Sequence, residues 1–300
     1  MTFQGLLVDY QRWLNDPSLR IENKQRLNLS DQAYAVLLND SDIFKVADSA
    51  KRESGGPSSN IINHIFSHFR ETAHSSIALS CQTHKIDLEK ALAPVQPDAA
   101  REYAVQLLLD EYQRHLVDEL QHRSKKGKAF SFRINKENLD YLASEEGQRE
   151  SVFYDGRVGD YIKAVLEEYA GYPRVERERI YFKSILDEIQ LAISHQTILK
   201  LTMYSMSKTR SGTANNILYV KPLGVRQDSE RLYHYLVGIN ASCKDGPWTP
   251  GAIRLTSIKN ANYLKQAAAV SKEEKKSVEN EIRKNGVQYL SDSHSVGRVK

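Results

Sequence analysis

Nine histidines and two cysteines are the side chains in this 300-residue chain best suited to bond making or metal binding, and their spacing gives them little to work with. His64 and His68 stand four apart, so one helix face carries both, a spacing that can hold zinc. No Glu lies between them in the metalloprotease pattern and no third ligand follows, so ordinary helix positions are expected. Cys81 and His84 offer two ligands and nothing more. The Gly55-Gly56-Pro57 loop lacks the Gly-Lys-Ser or Gly-Lys-Thr ending that cradles phosphates. Acidic pairs such as Glu145-Glu146 and Glu167-Glu168 read as solvated faces. No acid, base and nucleophile emerge as a set, so the expectation is a protein that is not an enzyme, with no catalytic residue, no cofactor and no metal. The chemistry that does stand out is hydrogen bonding by cations: Arg26 and Asn28 in one short alternating segment, Ser131 and Arg133 in another. Arg pairs bidentately with guanine or phosphate and Asn with adenine.

Those two segments belong to a structural sentence spelled twice, about a hundred residues apart. Arg26 to Leu37 and then Ser59 to Phe66 form one copy; Ser131 to Leu142 and then Gly159 to Leu166 form the other. Each reads as a short strand, a helix capped by Ser or Asn, a loop containing Gly, and a second apolar helix. A lone strand leaves unpaired backbone groups on its edges, and the repeat supplies an antiparallel partner within the same chain. In that ribbon Leu27, Leu29, Phe132 and Ile134 face the helices, so Arg26, Asn28, Ser131 and Arg133 project from the opposite side. A β-ribbon of this kind fits the major groove of duplex DNA.

The remaining elements frame the repeat. Phe3, Leu6, Leu7, Tyr10, Trp13 and Leu14 make an apolar helical stripe, suited to docking on its own chain or on a second copy. The two units occupy about 24–70 and 129–171, with a helical insert at 72–122 broken at Pro94 and Pro97. Residues 176–195 read as helix, after which the period changes to that of strands at 198–204, 217–220, 232–237 and 252–258. A Lys- and Glu-rich helix at 271–284 and a polar tail from 291 close the chain. The expected fold is α+β: an N-terminal helical region over 1–175, a small β-barrel domain with its leading helix over 176–265, and a C-terminal helix and tail over 266–300. A net charge of +4 permits an anionic partner without demanding one. Cys81 and Cys243 show no pairing pattern, the start carries no basic leader, and no apolar run reaches a membrane span, so a cytoplasmic location without membrane contact is expected.

Two resemblances attach to these residues. The repeat resembles the ribbon-helix-helix family of MetJ and Arc type regulators, with two units fused in one chain. The resemblance implies phosphate contact at the start of each second helix, where Gly56, Ser58 and Ser59 fit and Asp160 of the second copy does not. The segment from Ile193 to Ile258, with Tyr219-Val220-Lys221-Pro222-Leu223-Gly224, His234-Tyr235-Leu236 and Arg254-Leu255, resembles the WYL domain, an SH3-like small barrel. His stands where that domain has its eponymous Trp. The resemblance implies an anionic ligand, nucleic acid included, held by Tyr204, Arg226, Arg231, His234, Tyr235 and Arg254, and aromatic stacking with arginine contacts suits single strands. Joined in this order, the two parts resemble the WYL-domain accessory proteins of type VI-D CRISPR systems. That implies a homodimeric, non-enzymatic protein that binds single-stranded RNA and stimulates an RNA-guided effector nuclease. The alternative is a transcriptional regulator whose ribbon grips duplex DNA while the barrel senses a ligand.

Overall fold

The computed structural model describes residues 21–45, 56–123, 127–151, 157–204, 216–230 and 232–290. The apolar stripe at 3–14, the polar tail and Arg231 lie outside the described residues. The chain divides into two compact units, Met1–Tyr172 and Pro173–Lys300.

In the first unit, strands β1 (Lys24–Leu29) and β2 (Lys128–Arg133) pair antiparallel, with Arg26 opposite Ser131 and Lys24 opposite Arg133. Alternation decides their faces: Leu27, Leu29, Phe130 and Phe132 are buried, while Arg26, Ser131 and Arg133 are exposed. The ribbon closes tightly at Gly127, where a Cβ would lie 1.7 Å from the Leu29 carbonyl oxygen. Helices α1 (Asp31–Ile43), α2 (Ser59–Ala91), α3 (Asp98–Arg123), α4 (Lys136–Ala143), α5 (Glu145–Ser151) and α6 (Val158–Gly171) complete the unit. The core is built by Ile61, Ile62, Ile65, Phe66 and Phe69 of α2 against Tyr161, Val165 and Tyr169 of α6, all nearly inaccessible. Each such apolar side chain contributes about 1.5–3 kcal/mol. Phe66 meets Tyr161 edge-on at 5.2 Å between ring centroids, and Phe69 meets Tyr169 likewise at 6.1 Å.

Two expectations are corrected here. The second helix of the first copy does not end near residue 70: α2 runs 33 residues to Ala91, because neither Gly nor Pro interrupts the sequence between Ser58 and Pro94. Glu167 is no solvated carboxylate. It is 9% exposed and accepts hydrogen bonds at 2.7 Å from both the amide and the hydroxyl of Ser30, the residue that caps α1.

In the second unit, helices α7 (Arg174–Tyr181) and α8 (Lys183–Ser194) precede a five-stranded sheet. Its strands β3 (Thr197–Met203), β4 (Ile217–Gln227), β5 (His234–Ala241), β6 (Thr249–Arg254) and β7 (Ile258–Ala267) lie in the antiparallel order β6-β5-β4-β3-β7. The expected closed barrel is not formed: among the described residues β6 and β7 stand at opposite edges and do not pair. A three-residue 3₁₀ turn, Leu255–Ser257, nevertheless carries the chain from one edge to the other, so the sheet is strongly curled. Helix α8 packs on β7, β3 and β4. Helix α9 (Lys272–Asn285), opened by a Ser271–Glu274 capping box, and the turn after it cover β5 and β6, where Val278, Val287 and Leu290 meet Val237 and Ile239. Among the described residues no helix is long and apolar enough to cross a membrane.

Candidate nucleic-acid interface

Cross-strand neighbours in a sheet share a face, so register alone assembles a site in the second unit. Arg226 of β4 lies opposite Tyr235 of β5, and Tyr235 lies opposite Arg254 of β6. The three side chains form a row on the face that carries Val237 and Ile239, beside α9, whose cluster Tyr235 packs against, and all three keep some solvent exposure. Arg254 also places its guanidinium carbon 3.1 Å from the centre of the Tyr233 ring, and Arg174 of α7 approaches the same ring at 4.2 Å. Neither Arg254 Nε nor Arg174 Nη2 has a hydrogen-bond partner, although both atoms are buried. Arg226 donates to Glu279 of α9 at 2.9 Å. Burial raises the Tyr235 hydroxyl above its ordinary pKa, and the nearby Arg254 opposes that rise, so Tyr235 stays a neutral donor and ring.

The hairpin that positions this row is closed by Asp228, whose carboxylate accepts from the Leu232 amide at 2.7 Å. Arg231, which precedes Leu232 in sequence, lies outside the described residues.

His234 belongs to the other face of β5. It is 5% exposed; its amide donates to Glu178 Oε2 at 2.7 Å and its Nδ1 lies 2.9 Å from the same oxygen. The carboxylate accepts, so Nδ1 carries the hydrogen and Nε2 is left facing the Gln227 amide at 3.1 Å. Its partners are internal, and its work is to hold strand to helix. Tyr204 lies past the end of β3, half-buried, its amide donating to the Ser257 carbonyl at 3.0 Å and its hydroxyl raised in pKa by burial. It is no member of the row. A cleft of about 660 Å³ opens between α8 and the distal half of β4, lined among others by Arg179, Ile189, Gln190, Val225 and His234.

In the first unit, Arg26 and Arg133 are exposed on the outer face of the ribbon and Asn28 is half-buried there. A polar seam fixes this strand end: the Arg133 amide donates to Ser59 Oγ at 3.1 Å, and Asn63 Nδ2 donates to the Arg133 carbonyl at 2.8 Å. Ser58 caps α2 by accepting from the Ile61 amide. At the matching helix of the second copy Asp160 pairs with Arg157 at 2.8 Å. His64, His68 and His84 are engaged within the fold, the first two ring against ring at 4.2 Å. His68 Nδ1 lies 2.9 Å from the His64 carbonyl, and His84 stacks on Tyr112 at 4.0 Å. Among the described residues no three His, Cys, Asp or Glu side chains gather as a metal site.

Sequence reasoning placed Arg226, Tyr235 and Arg254 in the site and missed Arg174 and Tyr233. Spacing could have found Tyr233, since it stands two residues from Tyr235 and so on the same side of an extended segment; Arg174 gives no signal of its own, since only the tertiary fold brings it to that ring.

No protein-family model matches the chain, and no curated protein matches it. Among solved structures it is similar to the crystal structure of a CRISPR Cas-related protein, with 20% sequence identity, a TM-score of 0.54, and coverage of 87% of this chain and 71% of that one. The two share a fold.

Proposed function

We propose that this protein is a non-enzymatic accessory of an RNA-guided CRISPR system that binds single-stranded RNA on its C-terminal sheet and thereby stimulates the effector nuclease. The row Arg226–Tyr235–Arg254 carries the reading: a ring between two guanidinium groups suits an unpaired base flanked by phosphates. The fold shared with a CRISPR Cas-related protein supports the pathway. In this reading the second unit is a WYL domain in a curled, open form and the first is a fused ribbon-helix-helix pair. The protein acts as a homodimer, and holding RNA near the nuclease raises its effective concentration without any bond being made or broken. His234 leaves the contact set and serves as a strut.

Fluorescence anisotropy with labelled single-stranded RNA tests this. Charge-assisted contacts of this type contribute about 1.5–3 kcal/mol each, so Arg226→Ala with Arg254→Ala weakens binding by at least tenfold. Glu279→Gln, which frees Arg226 from an exposed ion pair of small intrinsic value, tightens it. An affinity untouched by the double arginine substitution in a folded protein sinks the proposal. A second reading, operator recognition by the ribbon, is favoured by the exposed Arg26 and Arg133; it predicts that duplex DNA outcompetes single-stranded RNA in the same assay.

A further inference from the structure

The face that bears the arginine–tyrosine row continues along the sheet into a second region that α9 does not cover. Register puts Lys200 opposite both Tyr219 and Asn262, Thr202 opposite Ile217 and Asn260, and Lys221 opposite Ile239. Ile239 belongs to the cluster under α9, so all these residues share its face. The alternate positions Leu199, Leu201 and Val220 are fully buried under α8, whereas Lys200, Thr202, Tyr219 and Lys221 are half-exposed and Asn260 and Asn262 exposed. The β5–β6 hairpin adds two more groups at the border of this region: Lys244 Nζ lies 5.9 Å from the centre of the Tyr219 ring, and Lys221 Nζ lies 4.7 Å from that of Trp248, which is half-buried against the α9 cluster. Tyr235 and Ala241, which mark the two regions along β5, are six residues and so about 20 Å apart.

The charge here is unbalanced. Among the described residues none of Lys200, Lys221 and Lys244 is ion-paired, and the strand positions of this face carry no carboxylate; exposed Asp245 beside Lys244 is the acid nearest in sequence. Three cations with two aromatic rings and two amides on an open sheet are complementary to an unpaired polynucleotide, whose phosphates neutralise lysines and whose bases stack on rings. An apolar or basic partner would find no match.

We propose that the uncovered face of β7, β3 and β4, with Trp248 at its border with α9, is a second contact for the same single-stranded RNA, so that one strand bridges both ends of the sheet. This rests on the RNA reading above and adds a length requirement to it: a short oligonucleotide occupies only the arginine row, and a longer one reaches the lysines.

The test uses the full chain and the triple substitution Lys200→Gln, Lys221→Gln, Lys244→Gln, with oligouridylates from about 4 to about 16 nucleotides, the range small β-modules cover. Binding of the longest oligomer falls at least tenfold, that of the shortest changes less than threefold, and the log–log salt slope loses about 0.7 per lysine that meets a phosphate. Trp248 fluorescence, isolated by Trp13→Phe, is quenched by the long oligomer and not by the short one. If the triple variant keeps long-RNA affinity and slope while Arg226→Ala with Arg254→Ala loses binding, the second contact is wrong and the RNA reading stands. Quenching by poly-glutamate with none by RNA makes the face a protein dock and also overturns it. A wild-type chain that binds no single-stranded RNA removes both.

Discussion

Glu178 is 1% exposed and depends on His234, whose amide and ring nitrogen both point at one carboxylate oxygen. Its second oxygen, Oε1, has no partner, so the imidazole is a large part of what compensates the carboxylate for leaving water. Removing the ring leaves a buried acceptor half-satisfied, at a cost of about 1–3 kcal/mol. His234→Ala therefore lowers the melting temperature of the second unit while leaving single-stranded RNA affinity, measured below the new transition, within about threefold of wild type. The opposite outcome, normal melting with affinity lost, would return His234 to the interface. Tyr235, its neighbour, shows the other face of the same rule: a phenol kept neutral by burial beside a guanidinium that pulls the opposite way.

Strand β5 owes its place to a close approach that only glycine allows. A Cβ on Gly238 would lie 2.5 Å from the Lys221 carbonyl oxygen and 2.8 Å from Val220 Cγ1, beside the irregularity between Pro222 and Gly224. Gly238→Ala forces β4 and β5 apart at about 1–3 kcal/mol, and because the arginine row spans those strands, RNA affinity falls with stability. Circular-dichroism melting with anisotropy checks both; a variant as stable as wild type with unchanged affinity would show that the strands give without cost. The elements legible in sequence are those whose periodicity is clean. The ribbon strands alternate Leu with Arg and Asn in β1 and Phe with Ser and Arg in β2, and Ser271 announces α9 three residues ahead of Glu274. What escaped had no local signal. Strand β7, Lys-Asn-Ala-Asn-Tyr-Leu within Ile258–Ala267, alternates only briefly, Asn260 and Asn262 outward against Ala261 and Tyr263, with few branched residues and a register shift near its start to blur the signal. The helical run at 176–195 is two helices meeting at Phe182. For the site, strand residues were found by type, and Lys200, Lys221, Lys244 and Trp248 were not, because register and an uncovered face are tertiary facts.

Across the whole chain, a net charge of +4 conceals two separate basic β surfaces, a two-stranded ribbon in one unit and the open sheet face in the other. They differ in what they can grip. The ribbon offers Lys24, Arg26 and Arg133 on a narrow projecting strip with no aromatic side chain on its outer face, which suits the phosphates and base edges of a duplex groove. The sheet interleaves cations with Tyr219, Tyr235 and Trp248, which need unpaired bases to work. The two proposed contacts are thus separable by substitution. Arg26→Ala with Arg133→Ala leaves single-stranded RNA affinity within about threefold of wild type, and any duplex affinity loses a salt slope of about 0.9 for each phosphate contact removed. Titrations of both ligands across a potassium chloride series measure the two slopes on one preparation. If single-stranded RNA binding collapses in this variant while the arginine row is intact, the RNA runs over the ribbon, and the sheet is left as a scaffold.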